Sequence, residues 1–349
     1  MARTKMRELG IQIGKLRTGE KNCITDVKGV RVGHVTLQKD LPNGEAIRTG
    51  VTAILPHSRN VFREKVIAAS YVINGFGKTT GLVQIDELGQ LESPIMLTNT
   101  FGVPAVSQGT LQYMIHQSPE IGDTTGTINV VVGECNDSYL NSIRLFPIKP
   151  EHAVAAIEKA TDEQAEEGAV GAGTGMVCFG FKGGIGCSSR MINFETKTYT
   201  IGCLVLSNFG KQEDFRYWQN EGLEQPTEYL TDGSIIIVLA TDAPLSDRQL
   251  KRIAKRATIG LGRTGSHISH GSGDIVIVFS TAKTIDHFTD RFFETKLELR
   301  EDTTLMNQVF EAVSDVTEEA ILNSLTKAKT TTGRKGRLVK ELPYKFNND

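Results

Sequence analysis

The chain has 349 residues, of which 39% are hydrophobic and 23% charged, and its formal net charge at pH 7 is −2. This composition is typical of a globular protein with enough apolar residues for a large core, and it excludes a disordered or fibrous chain. Because basic and acidic residues nearly balance, no overall field draws the protein to nucleic acid or to an anionic membrane. We therefore expect a small, weakly charged partner, and neither nucleic-acid nor membrane binding.

The N-terminal sequence and the cysteines indicate the cellular compartment. No apolar signal-peptide core follows the first basic residues, and no segment approaches the run of about 18 apolar residues that a membrane span needs. The cysteines are odd in number and include no Cys-x-x-Cys pair, which argues against a disulfide framework and a zinc ribbon. They are Cys23, Cys135, Cys178, Cys187 and Cys203. We expect reduced, mostly buried thiols in a cytoplasmic protein.

Five short apolar segments rich in β-branched residues, each bounded by turn residues, predict strands. Several are apolar on both faces, which is typical of strands that other layers cover on both sides. In chain order they are residues 128–133, 176–181, 199–208, 234–240 and 274–280.

Three helices are predicted between and after these strands. Pro150 opens the first, which we expect to end in the acidic segment 162–167. The capping box Ser246-Asp-Arg-Gln249 opens the second, whose basic residues take the solvated face, and the third begins near Thr304. Strands alternate with helices without a linker or an internal repeat. We therefore predict one α/β domain, residues 1–349, with packed sheets and outer helices.

The sequence does not match several familiar catalytic and binding motifs. Segment 74–81, NGFGKTTG, lacks the first glycine of a phosphate-binding loop, because Val72 stands at that position. His267 and His270 form a His-x-x-His pair, but no acidic or cysteine partner follows at metal-ligand spacing. No Gly-x-Ser-x-Gly elbow is present either. We expect no metal and no organic cofactor, and a nucleophilic serine would need a base other than a triad histidine.

The pair Gly233-Ser234 stands directly before an apolar strand and offers such a base. If the bond to Gly233 is broken, the α-amino group of Ser234 becomes available to accept the proton of its own hydroxyl. A free α-amine has a pKa of about 7.7 to 8, so a useful fraction is neutral at working pH. Taken alone, the pair is more simply explained as an ordinary turn, because Gly-Ser before a strand is common.

Six long motifs, in order along nearly the whole chain, support the catalytic interpretation. They are ITDVKGVRVGH (24–34), GECNDSYLN (133–141), GAGTGMVCFGFKGGIGCSSR (171–190), LVLSNFG (204–210), DGSIIIVLATDAPL (232–245) and RTGSHISHGSGDIVIVFST (263–281). With these motifs the chain resembles the DmpA family of L-aminopeptidase/D-esterases and β-peptidyl aminopeptidases.

The resemblance implies an αββα four-layer sandwich, similar to that of N-terminal nucleophile hydrolases but with different strand connectivity. It also implies self-cleavage between Gly233 and Ser234, which yields an α-chain of residues 1–233 and a β-chain of residues 234–349. A homo-oligomer, a tetramer of such αβ units, is expected from the family.

The family's catalytic residues carry over to matching positions. Ser272 and Asp274 are expected beside the nucleophile Ser234, with Ser272 within hydrogen-bond reach and Asp274 orienting the new ammonium group. The family also has glutamate at the latter position, so Asp274 is a shorter form of the same carboxylate. Asn208 and Tyr139 are expected to stabilise the oxyanion.

Glu134 is expected to pair with the free amino group of the substrate. The resemblance therefore implies an aminopeptidase, amidase or esterase that releases N-terminal residues from small peptides, amides or esters through a Ser234 ester. Two alternatives stay open: an acyltransferase of the glutamate N-acetyltransferase type, and a binding relative without catalysis. The sequence does not decide between L-, D- and β-amino acids.

Overall fold

The structure is a computed structural model that describes residues 3–194, 197–217, 233–301 and 304–344. The strands are β1 (Arg31–Asp40), β2 (Ala46–Leu55), β3 (Glu64–Gly75), β4 (Gln90–Leu91), β5 (Ile95–Asn99), β6 (Val131–Cys135), β7 (Val177–Cys178), β8 (Phe181–Lys182), β9 (Gly184–Phe194), β10 (Lys197–Asn208), β11 (Ser234–Thr241), β12 (Gly273–Asp286), β13 (Thr331–Thr332) and β14 (Leu338–Val339). The α-helices are α1 (Leu82–Leu88), α2 (Val103–Gln117), α3 (Pro150–Glu158), α4 (Asp247–Ala254), α5 (Ala257–Arg263) and α6 (Thr304–Thr326).

A six-stranded sheet with the order β4-β3-β12-β11-β10-β9 forms the centre of the molecule. Strands β11 and β12 run parallel, and the other neighbours run antiparallel. Side chains alternate between the two faces of a strand. In β11, Ile235 and Ile237 join the core beneath the helices, whereas Ile236 and Val238 join the core between the sheets. By this alternation Ser234 belongs to the face that looks towards the second sheet.

The second sheet has four strands in the order β1-β2-β5-β6. Only its last pair, β5 and β6, is parallel. On one face, Val51 and Met96 pack in a core that includes residues of α2 and α3. On the other face, Leu97 and Val131 pack against residues of the six-stranded sheet.

These cores define four layers: α2 and α3, the four-stranded sheet, the six-stranded sheet, and α4, α5 and α6. The strands between two layers are apolar on both faces because both faces are covered. The predicted αββα sandwich is confirmed, and polar strand ends from both sheets meet at one edge.

The predicted strands are largely confirmed, with one exception. Segments 199–208, 234–240 and 274–280 all lie in β10, β11 and β12. Segment 128–133 becomes strand only at Val131. The prediction of a single strand over 176–181 is wrong, because β7 and β8 have two residues each and are joined by a turn with positive φ at Phe179 and Gly180.

The predicted helices are confirmed at their beginnings. Ser246 Oγ accepts from the Gln249 amide at 3.4 Å and Gln249 Oε1 accepts from the Ser246 amide at 3.0 Å, as expected for a capping box. The expected acidic end of the first helix is wrong, since α3 ends at Glu158, before segment 162–167. All five cysteines are free and buried. Among the helices of the described residues, none is long and apolar enough to cross a membrane.

Candidate active site

Ser234 lies where three strand ends meet. It is the first residue of β11, pairing with Asn208 at the end of β10 and with Gly273 at the start of β12. Its Oγ accepts a hydrogen bond of 3.2 Å from the Gly273 amide. A fixed backbone donor of this kind favours negative charge on the oxygen that it contacts. The serine is 7% exposed, so a substrate would reach it in a largely desolvated setting.

Gly233 sits where the backbone at the end of β10 leaves no room for a side chain. A Cβ at this position would lie 1.9 Å from Asn208 O and 2.5 Å from Phe209 Cα. Both are backbone atoms, which cannot move aside as a flexible side chain would. The bond predicted to be cut is therefore held against β10, and glycine is the residue that this close approach permits.

The Asn208 amide is oriented by two backbone groups. Its Oδ1 accepts from the Val177 amide at 2.9 Å, and its Nδ2 donates to Asn136 O at 3.0 Å. Because the Val177 N–H can only donate, it determines which end of the Asn208 side chain is oxygen. The second N–H of Nδ2 has no partner within the described residues. A pre-oriented N–H donor next to Ser234 in the sheet is suited to stabilising an oxyanion.

Ser272 and Asp274 flank Gly273 at the start of β12. The Ser272 hydroxyl donates to Asp274 Oδ1 at 2.7 Å, and in the part of the chain described here it is not bonded to Ser234. Burial raises the pKa of Asp274 to about 6, although the Ser272 hydrogen bond opposes this shift.

The second carboxylate oxygen of Asp274 has an unusual environment. Oδ2 is buried and finds no hydrogen-bond partner in the described ranges. Asp274 is the β12 partner of Ile235, the residue that follows Ser234. A buried acceptor without a donor costs free energy. An ammonium group at Ser234 is the kind of donor that this oxygen lacks in the uncut chain.

Glu134 projects from β6 with both carboxylate oxygens engaged. Oε1 accepts from the Lys78 amide at 2.9 Å, and Oε2 accepts from the Thr100 hydroxyl. Thr100 directly follows β5, the parallel neighbour of β6, which explains why it reaches this side chain. The residue is only 3% exposed. Each carboxylate oxygen has a further acceptor position, so the oriented carboxylate retains capacity for a cation.

Tyr139 lies on the Asn208 side of the site. Its ring packs with Val177 and Val339, and the Arg337 guanidinium lies 4.7 Å from the ring centroid. Val177 is the residue whose amide orients Asn208. No hydrogen bond of the Tyr139 hydroxyl occurs among the residues described, so its expected contact with an oxyanion stays a prediction.

A buried lysine, which sequence reasoning missed, supports the loop that holds Asn208. Lys182 is fully buried, and burial lowers its pKa to about 7. Its Nζ donates to three backbone carbonyls of the glycine-rich segment, those of Gly173 at 3.0 Å, Met176 at 2.7 Å and Gly183 at 2.7 Å. Val177 follows Met176, so these bonds help to position the amide that orients Asn208. A lysine within an otherwise apolar, glycine-rich motif was the available signal.

Segment 74–81, rejected as a phosphate loop, also contributes to the site. The Asn74 side chain donates to Ser269 O at 3.1 Å and to His270 O at 3.0 Å, which holds the loop that precedes Ser272. The backbone of the same segment supplies the Lys78 amide to Glu134. Sequence reasoning missed both contacts because they join segments that are distant in the chain.

The surroundings of His267 and His270 offer no arranged set of metal ligands among the described residues. The side chain of His267 is 76% exposed, and its Nε2 lies 3.5 Å from Asp214 Oδ1. Among the described residues, no group of three or more histidine, cysteine, aspartate or glutamate side chains is arranged to hold a metal ion.

The fold and the strand-end serine place the chain among hydrolases with an N-terminal nucleophile. A sequence profile of peptidase family S58 matches residues 22–339. The β-peptidyl aminopeptidase BapA of Sphingosinicella microcystinivorans is 39% identical over 364 positions, covering 97% of this chain and 90% of that protein. The PH0078 protein from Pyrococcus horikoshii OT3 superposes with a TM-score of 0.90 and 47% identity, covering 98% of this chain and 96% of that chain. The L-aminopeptidase D-Ala-esterase/amidase of Ochrobactrum anthropi gives a TM-score of 0.89 and 34% identity, covering 97% and 96%.

The chain belongs to peptidase family S58. It is a hydrolase that acts on peptide bonds, an aminopeptidase, as the sequence predicted. The acyltransferase alternative is not favoured by these relatives. The fold agrees as well, because the Ochrobactrum structure is described as a variant of the N-terminal nucleophile hydrolase fold.

Proposed function

We propose that Ser234, freed by cleavage of the Gly233–Ser234 bond, releases N-terminal residues from small peptides, amino-acid amides or esters. The observation that carries this proposal is the arrangement around Ser234: a backbone donor at Gly273, an oriented amide at Asn208 and an unpartnered buried oxygen on Asp274. Relatives described as a β-peptidyl aminopeptidase and an L-aminopeptidase D-Ala-esterase/amidase support the substrate class.

The first step is self-cleavage of the single domain into residues 1–233 and 234–349. Ser234 Oγ attacks the Gly233 carbonyl carbon, the C–N bond breaks, and an ester replaces the amide while the α-amine of Ser234 is released. Water then hydrolyses the ester, which leaves a carboxylate on Gly233 and restores the Ser234 hydroxyl. The new ammonium group pairs with Asp274, whose Oδ2 otherwise lacks a partner.

In turnover, the neutral α-amine of Ser234 accepts the hydroxyl proton as Oγ attacks the substrate carbonyl. The oxyanion is stabilised by the Asn208 N–H and by the Tyr139 hydroxyl. The protonated amine then gives its proton to the leaving group, and water hydrolyses the remaining ester by the reverse sequence. Ser272 acts by holding the Asp274 carboxylate in place.

The substrate ammonium binds Glu134, which makes the enzyme act from the amino terminus. The Glu134 carboxylate is buried and oriented by Lys78 N and Thr100 Oγ1, so it needs no rearrangement to accept a cation. A desolvated carboxylate attracts an ammonium group much more strongly than an exposed one does.

We further propose a cytoplasmic homotetramer of αβ units, with a small-molecule substrate as its partner. The family resemblance supports the tetramer, and the balanced composition agrees with a protein that binds neither nucleic acid nor membrane. The mass in solution, measured by light scattering after gel filtration, tests the assembly.

Intact mass and N-terminal sequencing of purified protein test the proposed function. Wild type should give two fragments, with the smaller beginning Ser-Ile-Ile-Ile, and should release p-nitroaniline from amino-acid p-nitroanilides. Ser234→Ala should remain one chain without activity, whereas Ser234→Cys should still cleave itself because a thiol is the better nucleophile. A smaller fragment that starts elsewhere would overturn the assignment of Ser234.

A further inference from the structure

Gly77 lies between two groups that the proposed function uses. A Cβ added at this residue would be 3.6 Å from Glu134 Oε1 and 3.7 Å from Gly273 Cα. The Gly273 amide is the group that donates to Ser234 Oγ. A side chain at residue 77 would therefore point into the space between the carboxylate of Glu134 and the strand end that presents the nucleophile.

The fold itself does not require glycine at residue 77. Its φ lies outside the left-handed region in which glycine is favoured. All contacts of an added Cβ would be at ordinary van der Waals distances, the third being Ile275 Cδ1 at 3.7 Å. Gly273 differs, because a Cβ there would lie 2.8 Å from Phe76 O. Packing thus explains the glycine at 273 and leaves the glycine at 77 without a structural requirement.

We propose that Gly77 determines how long a backbone the site accepts between the amino group and the reacting carbonyl of the substrate. This inference rests on the proposed function, in which Glu134 binds the ammonium and Ser234 attacks the carbonyl. A β-amino acid has one more methylene between these groups than an α-amino acid. The absence of a side chain on residue 77 leaves a volume that accommodates this methylene. In Gly77→Ala, the methyl group of the alanine would occupy the same volume.

The test compares Gly77→Ala with Gly75→Ala, a matched control two residues earlier. Among the described residues, a Cβ at Gly75 would contact only Val72 Cγ1, at 3.5 Å. The measured quantity is the ratio of kcat/KM for β-alanyl p-nitroanilide to that for L-alanyl p-nitroanilide. One methylene in a fitted pocket changes kcat/KM by about 10- to 200-fold, so Gly77→Ala should lower the ratio by about that factor. Gly75→Ala should leave the ratio unchanged.

Ile275→Val provides a second variant with the opposite expectation. It removes the Cδ1 that borders the same space, so the ratio of the two kcat/KM values should rise. This variant tests the proposal if Gly77→Ala fails to fold. If one anilide is cleaved too slowly, inhibition constants of β-alanine amide and L-alanine amide give the same comparison.

The possible failures are distinguishable. An active Gly77→Ala enzyme with an unchanged ratio, or a fall of equal size in Gly75→Ala, overturns the role of Gly77 alone. If Gly77→Ala does not fold, an unchanged or lower ratio in Ile275→Val also overturns the role of Gly77 alone. A processed wild type that cleaves neither anilide overturns the proposed function and this inference together.

Discussion

Ser272 Oγ and Asp274 Oδ1 are joined by a hydrogen bond of 2.7 Å, while the other oxygen of the Asp274 carboxylate is buried without a partner among the described residues. Burial raises the pKa of this carboxyl from 3.8 to about 6. Between these pH values the folded chain binds a proton that the unfolded chain has released. The uncut chain should therefore lose stability as the pH rises through this window.

The uncut variant Ser234→Ala makes this loss measurable. From pH 4 to pH 7, its free energy of unfolding should fall by about 2 kcal/mol relative to that of Ser234→Ala/Asp274→Asn, given a pKa of about 6 for Asp274. Urea denaturation followed by circular dichroism checks the difference, which cancels the contributions of other titrating groups. The same pH dependence in both variants would show that burial does not raise the pKa of Asp274.

In the cut enzyme, the Ser234 α-amine should govern the pH dependence of activity. We expect kcat/KM to rise with pH through one ionisation at about 7 to 8, as the amine becomes neutral, and to be unaffected by chelators. Asp274→Asn removes the negative charge that favours the ammonium form. The rise should therefore move to lower pH, by about 1 unit or more.

The matched control for this pH profile is Asp242→Asn. Asp242 follows the opposite end of β11 and accepts from the Thr200 amide at 2.7 Å, and burial raises its pKa as well. Its replacement should leave the profile where it is in wild type. A profile that moves equally in both variants would speak against a pairing of Asp274 with the amine.

Gly233→Ala should block self-cleavage. The added Cβ would meet the backbone of Asn208 at 1.9 Å, so the scissile carbonyl must move away from its position beside Ser234. Denaturing electrophoresis should show a single chain. Gly262→Ala is the control, because a Cβ there would have no atom of the described residues within 4 Å. Normal cleavage in Gly233→Ala would mean that the reactive geometry does not depend on this close approach.

Glu134→Gln should reduce kcat/KM for amino-acid amides by about 10- to 100-fold. A charge-assisted hydrogen bond contributes about 1.5 to 3 kcal/mol, and each 1.4 kcal/mol corresponds to a factor of ten. Self-cleavage should persist because it involves no free amino group of a substrate. Thr100→Val tests the support of Glu134, since it removes the hydroxyl that donates to Oε2 and leaves the charge intact.

A double comparison of enzyme and substrate makes the Glu134 prediction specific. N-acetylation of the substrate should lower wild-type kcat/KM at least as much as Glu134→Gln does, because the carboxylate is then left without its cation. The acetylated substrate should lose much less in the variant. An equal loss in both enzymes would mean that Glu134 does not recognise the amino group.

The strands at the centre of the sandwich could be predicted because strands that are buried on both faces appear in the sequence as runs of apolar residues. β10, β11 and β12 each contain a continuous apolar segment, and polar residues flank it: Asn208 ends β10, Ser234 begins β11 and Ser272 directly precedes β12. The candidate site residues came from the family resemblance of the long motifs, and their catalytic roles stay predictions.

No local sequence pattern indicated the contacts between segments that are distant in the chain. Thr100 reaches Glu134 because β5 and β6 are parallel neighbours, and Asn74 reaches the loop before Ser272 because β3 pairs with β12. Neither pairing can be read from local periodicity. The turn between β7 and β8 was missed for another reason, since Phe179 adopts a positive φ that its residue type does not suggest.

The strand order β4-β3-β12-β11-β10-β9 determines how the two fragments of the proposed cleavage before Ser234 would be held together. The fragment that begins at Ser234 supplies β11 and β12, and the other fragment supplies β3 on one side of them and β10 on the other. The proposed cut would therefore fall between strands that pair with the other fragment on both sides. Two polypeptides interleaved in one sheet should separate only on unfolding, so the two fragments should assemble and be degraded together.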